Sequence, residues 1–354
     1  MNSIKIQTPK GDRYIGEGHP VFVIAELSGN HNHDINKAFA LIDAAADAGA
    51  DAVKLQTYTP DTLTIDCDND YFQVKVNDAW AGKTLYELYK TAYTPWEWHE
   101  ELKAYGEEKG LIVFSTPFDE TAVDFLEELG VELYKVASFE TGDLELLKKI
   151  GSTKKPVIMS RGLTSEPEIQ RAIDTLKSSG CPEVIVLHCI SSYPANLEQM
   201  NVATVADIPK RFNVISGLSD HSLGLVAATA AVANGAAVLE KHITLDRSAG
   251  GPDAAFSLEP DELKALVDTV QDVSKAMGTV SYEIGEKEKE NLVFRRSIFV
   301  VKDIKQGEPI TREHVRVIRP GYGLDPKELP SILGKIVTQD LERGTPLSLD
   351  HVEK

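Results

Sequence analysis

The most constraining feature of the sequence is a repeated alternation of short apolar runs with helical runs after residue 20. The eight apolar runs occupy residues 21–28, 51–58, 111–118, 131–138, 156–162, 183–191, 213–222 and 237–245. Each is rich in Val, Ile, Leu or Phe and precedes residues with helical periodicity. Eight β-then-α units in about 260 residues match the size and order of a (β/α)₈ TIM barrel. Near-continuous apolar strands also favour a parallel sheet that is buried on both faces. We therefore predict an α/β chain built on a TIM barrel.

Polar residues stand at the carboxyl end of every predicted strand. In chain order they are Glu26, Lys54, Gln56, Ser115, Thr116, Lys135, Ser138, Glu140, Ser160, Arg161, Ser191, Ser219, His221, Lys241 and His242. In a barrel, this edge of the sheet forms the active site. A single Ser or Thr could instead cap the following helix. Lys54 and Lys135, however, lie among apolar residues and need anionic partners. Two lysines and several hydroxyls on one rim predict a pocket for phosphate or carboxylate.

Two histidines, His221 and His242, follow consecutive predicted strands within residues 216–253. One β-α-β unit would bring both imidazoles to the same edge of the sheet. Neutral imidazoles on rigid neighbouring strands suit a divalent transition metal, and two ligands leave coordination positions open. Each histidine alone could be an ordinary hydrogen-bonded residue. The pairing at equivalent strand ends favours a metal site.

A long insertion after the second predicted strand, residues 60–93, is rich in aromatic residues. It contains Tyr71, Phe72, Trp80, Tyr86 and Tyr89. A β-α loop of this length is typical of a substrate lid or a recognition loop. The alternative is an extra helix that packs on the rim of the barrel.

The alternation stops near Gly278, where a charged stretch leads into short strands and turns. We predict a barrel domain over residues 1–280, a linker over 281–292 and a small β-rich domain over 293–354. So small a domain buries little core and is expected to dock on another surface. Arg319 lies in a Pro/Gly loop that would present its guanidinium outward.

The net charge of the chain narrows its possible partners. Among 354 residues, 55 acids against 37 bases give a net charge of −18. This charge repels nucleic acid and anionic membranes, so we predict neither as a partner.

The three cysteines lack metal-type spacing, and the amino-terminal residues lack the apolar segment of a signal peptide. No apolar run approaches the roughly 18 residues of a membrane span. We therefore expect a cytoplasmic protein.

Several motifs together resemble one enzyme family. They are ELSGNHN (26–32), KLQTYTPDT (54–62), STPFD (115–119), YKVAS (134–138), GLSDHS (217–222), LEKHIT (239–244) and GPD (251–253). These residues resemble the sialic acid synthases, which are phosphoenolpyruvate-dependent nonulosonate synthases. Residues 295–311 and 318–324 resemble the antifreeze-like (SAF) domain of that family. ELSGNHN and the insertion over residues 70–89 are most similar to the pseudaminic acid synthases within it.

The resemblance implies condensation of phosphoenolpyruvate with an open-chain acetamido sugar, with Mn²⁺ or Mg²⁺ as the cofactor. For the pseudaminic acid branch, the sugar would be 2,4-diacetamido-2,4,6-trideoxy-altrose. Synthesis of N-acetylneuraminate or legionaminate is the alternative, and a metal-dependent sugar aldolase is a less favoured one. On residue type alone, a Schiff base on Lys54 or Lys135 also remains open. A carbohydrate- or ice-binding protein would leave the strand-end lysines and histidines without a role.

The resemblance also implies a role for each matched residue. His221 and His242 would be catalytic residues and metal ligands, and Glu26 and Glu140 would be catalytic. Phosphoenolpyruvate would be bound by Lys54, Thr116, Lys135, Ser138, Ser160 and Ser219. The sugar side would use Gln56, Glu140, Tyr193 and Asp253, with Ser191 as a further substrate-binding residue. Arg319 would enter the barrel of a partner subunit, which implies a domain-swapped homodimer.

Two residues depart from the family pattern. Arg161 stands where the family usually carries Thr, and Ser191 stands where N-acetylneuraminate synthases carry Asn. Arg161 puts the binding of the phosphate group in question. The second argues against N-acetylneuraminate as the product.

Overall fold

The computed structural model describes residues 3–75 and 82–353, which form two compact units, Met1–Gly278 and Thr279–Lys354. Trp80, one of the aromatic residues of the insertion, lies outside the described residues. Within them, no helix is both long and apolar enough to cross a membrane.

The first unit is built on a closed barrel of eight parallel strands, which confirms the predicted fold. The strands are β3 (Phe22–Glu26), β4 (Ala52–Thr57), β5 (Ile112–Pro117), β6 (Tyr134–Val136), β7 (Val157–Arg161), β8 (Val184–Cys189), β9 (Ile215–Asp220) and β10 (Val238–His242). Each strand pairs with the next along the chain, and β10 closes on β3 with Val238 opposite Phe22 and His242 opposite Glu26.

An antiparallel hairpin precedes the barrel, with β1 (Ser3–Thr8) paired to β2 (Gly11–Gly16) from Ser3↔Gly16 to Thr8↔Gly11. Its apolar residues Ile4, Ile6 and Ile15 join the cluster of side chains inside the barrel, which includes Phe22 at the start of β3. The hairpin therefore closes the amino-terminal end of the barrel and leaves the opposite end for the site.

Helices surround the barrel strands, and most of them bury one apolar face. In the first unit they are α1 (Ile35–Ala48), α2 (Pro60–Leu63), α3 (Leu85–Ala92), α4 (His99–Glu108), α5 (Glu120–Leu129), α6 (Leu144–Ser152), α7 (Glu166–Ser178), α8 (Thr204–Phe212), α9 (Val226–Ala233) and α10 (Pro260–Met277). Short 3₁₀ helices cover Trp96–Trp98, Leu197–Gln199, Arg247–Ala249 and Ala254–Phe256. Local sequence fixes several boundaries. For example, the Asp34 side chain caps α1, and α1 ends at Gly49, which has a left-handed backbone.

Side chains of the strands alternate between the barrel interior and the surrounding helices, because successive residues of a strand point to opposite faces. In β10, Val238 belongs to the interior cluster and Leu239 to the core beneath the helices. Glu240 and His242 therefore face the interior, and Lys241 faces outward.

The second unit is small and has short elements around one apolar core. It contains β11 (Ser297–Val300) paired antiparallel to β12 (Val315–Ile318), and the helices α11 (Glu286–Lys289) and α12 (Leu329–Ile332). Its 3₁₀ helices are Glu290–Phe294, Pro326–Glu328 and Leu349–His351. Buried residues such as Ile298, Ile310 and Val337 form the core.

Candidate active site

A cavity of about 440 Å³ lies at the carboxyl end of the barrel strands. The predicted site residues that line it are Lys54, Gln56, Lys135, Ser138, Glu140, Ser160, Tyr193, Ser219, His221, His242 and Asp253. Three other predicted site residues contact these lining residues without lining the cavity themselves. Glu26 and Thr116 contact Lys54, and Ser191 lies 2.8 Å from Ser138, measured between the two hydroxyl oxygens. Arg319 belongs to the second unit.

Two buried lysines and two buried glutamates form one charge network in the cavity. Lys54 Nζ lies 2.6 Å from Glu26 Oε2 and donates a hydrogen bond to Thr116 Oγ1 at 3.1 Å. Lys135 Nζ donates to Ser160 Oγ at 2.7 Å. Glu240 Oε1 lies between the lysines, 3.9 Å from Lys54 Nζ and 3.8 Å from Lys135 Nζ. The two ammonium groups are thus held side by side, as an anionic substrate requires.

Glu240 is the main site residue not predicted from the sequence. The two-residue period of β10, which places Glu240 and His242 on one face of the strand, is the pattern that identifies it. The expectation that Lys241 belongs to the rim was wrong for the same reason. Lys241 Nζ donates to Asp220 Oδ2 at 2.8 Å behind the barrel wall, with both side chains 1% exposed. Ser115 also faces outward, where its hydroxyl lies 2.6 Å from that of Thr57.

The two histidines lie next to each other on neighbouring strands. His221 follows β9, His242 ends β10, and their ring centroids are 5.3 Å apart. His221 Nδ1 is 3.1 Å from the Ile190 carbonyl oxygen, so a proton on Nδ1 leaves Nε2 with a free lone pair. His242 Nδ1 is buried without a hydrogen-bond partner among the described residues and lies 3.9 Å from Asp253 Oδ2.

The surroundings set the protonation of each imidazole. Burial and the nearby His221 hold the pKa of His242 well below its usual value, which keeps that ring neutral. Burial also lowers the pKa of His221, but Cys189 and the Ile190 carbonyl raise it by more, so the net direction is upward. The unpaired nitrogen of His242 fits a metal ligand. Within the described residues, no group of three or more His, Cys, Asp or Glu residues is placed to hold a metal ion.

Two carboxyl groups have pKa values close to neutrality. Burial raises the pKa of Glu26 to about 7, although Lys54 opposes the shift. Glu26 Oε1 accepts hydrogen bonds from Gln56 Nε2 and the Ser28 amide, both at 3.0 Å. Burial likewise raises the pKa of Glu140 to about 7. Groups with such pKa values exchange protons readily at neutral pH, which is the requirement for general acid–base catalysis.

The insertion supplies the outer side of the cavity. It forms α2 and α3, and its side chains Leu63, Val74, Leu85, Leu88 and Tyr89 line the cavity. The added helices border the site, as the second interpretation of the insertion expects, and a role as lid or recognition loop stays a prediction.

Comparisons with known proteins agree with this geometry. The NeuB family profile matches residues 41–282, and the SAF domain profile matches residues 295–353. The chain is 43% identical to pseudaminic acid synthase of Campylobacter jejuni (strain 81-176), over 92% of this chain and 95% of that protein. It is 39% identical to pseudaminic acid synthase of Helicobacter pylori, over 95% and 98%.

More distant relatives share the fold. Identity to N,N'-diacetyllegionaminic acid synthase of Legionella pneumophila is 36%, over 96% of each chain. The crystal structure of N-acetylneuraminic acid synthetase from Leptospira borgpetersenii in complex with citrate superposes with a TM-score of 0.72. It is 35% identical and covers 82% of this chain and 95% of that chain. The chain therefore belongs to the NeuB family and carries a SAF domain after its barrel.

Proposed function

We propose that this protein condenses phosphoenolpyruvate, 2,4-diacetamido-2,4,6-trideoxy-altrose and water to give pseudaminic acid and phosphate. The main support for this proposal is a single cavity that contains both a buried lysine pair and a buried histidine pair. It lies in a chain that is 43% and 39% identical to two pseudaminic acid synthases over nearly its whole length. The lysines suit an anionic phosphate ester, and the histidines suit a metal-assisted carbonyl reaction.

Phosphoenolpyruvate would bind at the lysine pair. Lys54 and Lys135 would donate charge-assisted hydrogen bonds to its phosphate and carboxylate. Their partners Thr116 and Ser160 fix the position of each ammonium group. Burial raises the pKa of Glu26, which weakens the neutralisation of Lys54 by that carboxyl group. Ser138 and Ser219, which also line the cavity, would supply further hydroxyl donors.

The acetamido sugar would bind beside the histidines. Gln56, Glu140, Ser191, Tyr193 and Asp253 are the polar groups assigned to it. His221 and His242 would hold Mn²⁺ or Mg²⁺, which as a bound Lewis acid would polarise the aldehyde of the sugar. The Tyr193 ring packs on His221 with a centroid distance of 4.5 Å, which fixes the orientation of that imidazole.

The residues of the chain support each bond change. C3 of the enol forms a bond to the aldehyde carbon, and the aldehyde oxygen takes up a proton from the solvent side or from Glu140. The positive charge that develops at C2 faces the carboxylate of Glu26. Water then adds to C2 as Glu26 accepts one of its protons. The new hydroxyl group becomes a carbonyl as the C2–O bond to phosphate breaks, and its proton leaves with the phosphate. Holding both substrates in register supplies a large part of the rate.

A domain-swapped homodimer is part of the proposal. Exposed apolar side chains lie in four successive loops on the rim of the cavity, after β6 to β9. They are Phe139, Leu163, Leu197, Leu223 and, at the start of α9, Val226. Arg319 is exposed and has no hydrogen bond or ion pair to another described residue. A second copy that covers this rim would bury the apolar side chains and deliver Arg319 to the sugar.

A substrate panel tests the proposed function. Phosphoenolpyruvate is combined with the diacetamido-trideoxy-altrose, with its legionaminate precursor or with N-acetylmannosamine, and released phosphate is measured. We expect the highest kcat/KM with the altrose sugar. Preference for either other sugar would move the assignment to the legionaminate or N-acetylneuraminate synthases. An aldolase would release no phosphate.

We place the reaction in the cytoplasm, where Cys67, Cys181 and Cys189 stay reduced.

A further inference from the structure

The outer side of the cavity is mainly apolar, in contrast to the charged floor that Lys54, Lys135 and Glu240 form at the strand ends. The insertion contributes five apolar residues to this side, which we call the apolar wall: Leu63, Val74, Leu85, Leu88 and Ala92. It also contributes Gln73 and Lys75, whose side-chain nitrogens are paired with the Asp68 carbonyl oxygen and the Asp70 carboxylate. Capping boxes fix both of its helices. Thr59 and Thr62 close the first turn of α2, and Thr84 and Glu87 close that of α3. The wall is therefore a structured surface of the cavity.

Two tyrosines stand between the apolar wall and the charged floor. Tyr58 and Tyr89 line the cavity, with ring centroids 5.7 Å apart in an edge-to-face arrangement. Neither hydroxyl has a hydrogen-bond partner among the described residues, although Tyr58 is only 2% exposed. Burial raises the pKa of both phenols, with added contributions from Asp253 for Tyr58 and Glu140 for Tyr89. Both hydroxyls therefore remain protonated and able to donate.

These features favour particular groups on a bound sugar. A sugar hydroxyl buried against the apolar wall would lose its hydrogen bonds to water without replacement, whereas a methyl group would gain from burial. An amide carbonyl near the tyrosines would accept from their unpartnered hydroxyls, and its acyl methyl would pack on the leucines. The floor would meanwhile hold the reacting end of the sugar.

We propose that the apolar wall, with Tyr58 and Tyr89, selects sugars that carry a methyl and an acylamino group in place of hydroxyls, away from the aldehyde. This inference rests on the proposed function and names the structural origin of its sugar specificity. No contact of these residues with phosphoenolpyruvate is required, so their substitution should leave its binding unchanged.

The test compares two sugars that differ at one atom: the 2,4-diacetamido-2,4,6-trideoxy-altrose and its 6-hydroxy counterpart. The wild-type protein should prefer the 6-deoxy sugar by about ten- to a hundredfold in kcat/KM, the range expected for a hydrophobic contact of this size. The double variant Leu63→Asn/Leu85→Asn should reduce this preference at least fivefold and leave the KM for phosphoenolpyruvate unchanged. Ile65→Asn is the matched control, because Ile65 is exposed in the same insertion and should not alter the preference.

A second variant keeps the test decisive if the asparagine variant does not fold. Tyr58→Phe/Tyr89→Phe retains both rings and should raise the KM for the diacetamido sugar about tenfold, with Tyr71→Phe on the exposed part of the insertion as the control. Unchanged sugar preference and unchanged sugar KM in these variants would overturn the inference but leave the proposed function intact. A wild-type protein that prefers N-acetylmannosamine would overturn both.

Discussion

Two buried lysines with different surroundings provide a sharp prediction. Lys135→Met removes an ammonium group from the cavity, where Glu240 lies 3.8 Å from it but also 3.9 Å from Lys54. Glu240 therefore keeps a cationic partner, and burial already lowers the pKa of Lys135, so the fold should tolerate the change. Lys241→Met instead leaves Asp220 buried without its cation. Such a loss costs about 3–5 kcal/mol of folding free energy.

The two variants should separate binding from stability. Loss of one charged hydrogen bond of about 1.5–3 kcal/mol should weaken phosphoenolpyruvate binding roughly ten- to a hundredfold in Lys135→Met. Isothermal titration calorimetry measures that affinity, and urea denaturation measures the free energy of unfolding. Folded Lys241→Met protein should bind phosphoenolpyruvate with nearly wild-type affinity. The assignment of the two lysines is refuted if Lys135→Met binds normally, or if Lys241→Met loses affinity at unchanged stability.

Three further predictions address the histidines, a carboxyl group and the dimer. His221→Ala and His242→Ala should each keep the fold and lose Mn²⁺ binding, measured by calorimetry, together with turnover; normal Mn²⁺ affinity in both would contradict the metal assignment. The pKa of Glu140 is about 7 in the folded protein, against 4.5 for an ordinary Glu side chain. The folded state therefore has its full stability below pH 4.5, where the carboxyl group is protonated in both states, and loses stability as the pH rises through 7. Glu140→Gln should therefore remove a loss of about 2.5 kcal/mol in the free energy of unfolding between pH 5 and pH 8, measured by denaturation at both pH values; an unchanged pH dependence would be the contrary result. Arg319→Ala chains co-refolded with His221→Ala chains should regain activity, since about half of the randomly paired dimers would contain one intact site; mixed dimers without activity would exclude a shared site.

The barrel could be predicted because buried parallel strands and amphipathic helices leave a strong periodic signal. The amino-terminal hairpin was missed, although a signal for it is present. Ile4 and Ile6 alternate with polar residues, and a turn at Pro9 precedes Gly11. The two strands lie outside the repeated strand-then-helix alternation that identified the barrel strands, which are no longer than these two. Their burial depends on the open end of the barrel, which is a tertiary feature.

The site was predicted in part, for a similar reason. Lys54, Lys135 and the two histidines stand out because charged or polar groups at strand ends have no packing role. Glu240 was predictable from the two-residue period of β10, which also identifies Lys241 as outward-facing. The apolar wall was not predictable, since leucines such as Leu85 look like ordinary core residues until the insertion is placed over the cavity.

Oxygen labelling shows which bond of phosphoenolpyruvate breaks in the proposed condensation. Phosphoenolpyruvate with ¹⁸O in the bridging position between C2 and phosphorus is incubated with the diacetamido-trideoxy-altrose, the divalent metal and the purified protein. The proposed reaction cleaves the C2–O bond, so the label should appear in the released phosphate and water oxygen should appear at C2 of the nonulosonate. Label retained in the sugar product, or a condensation product formed without phosphate release, would contradict it.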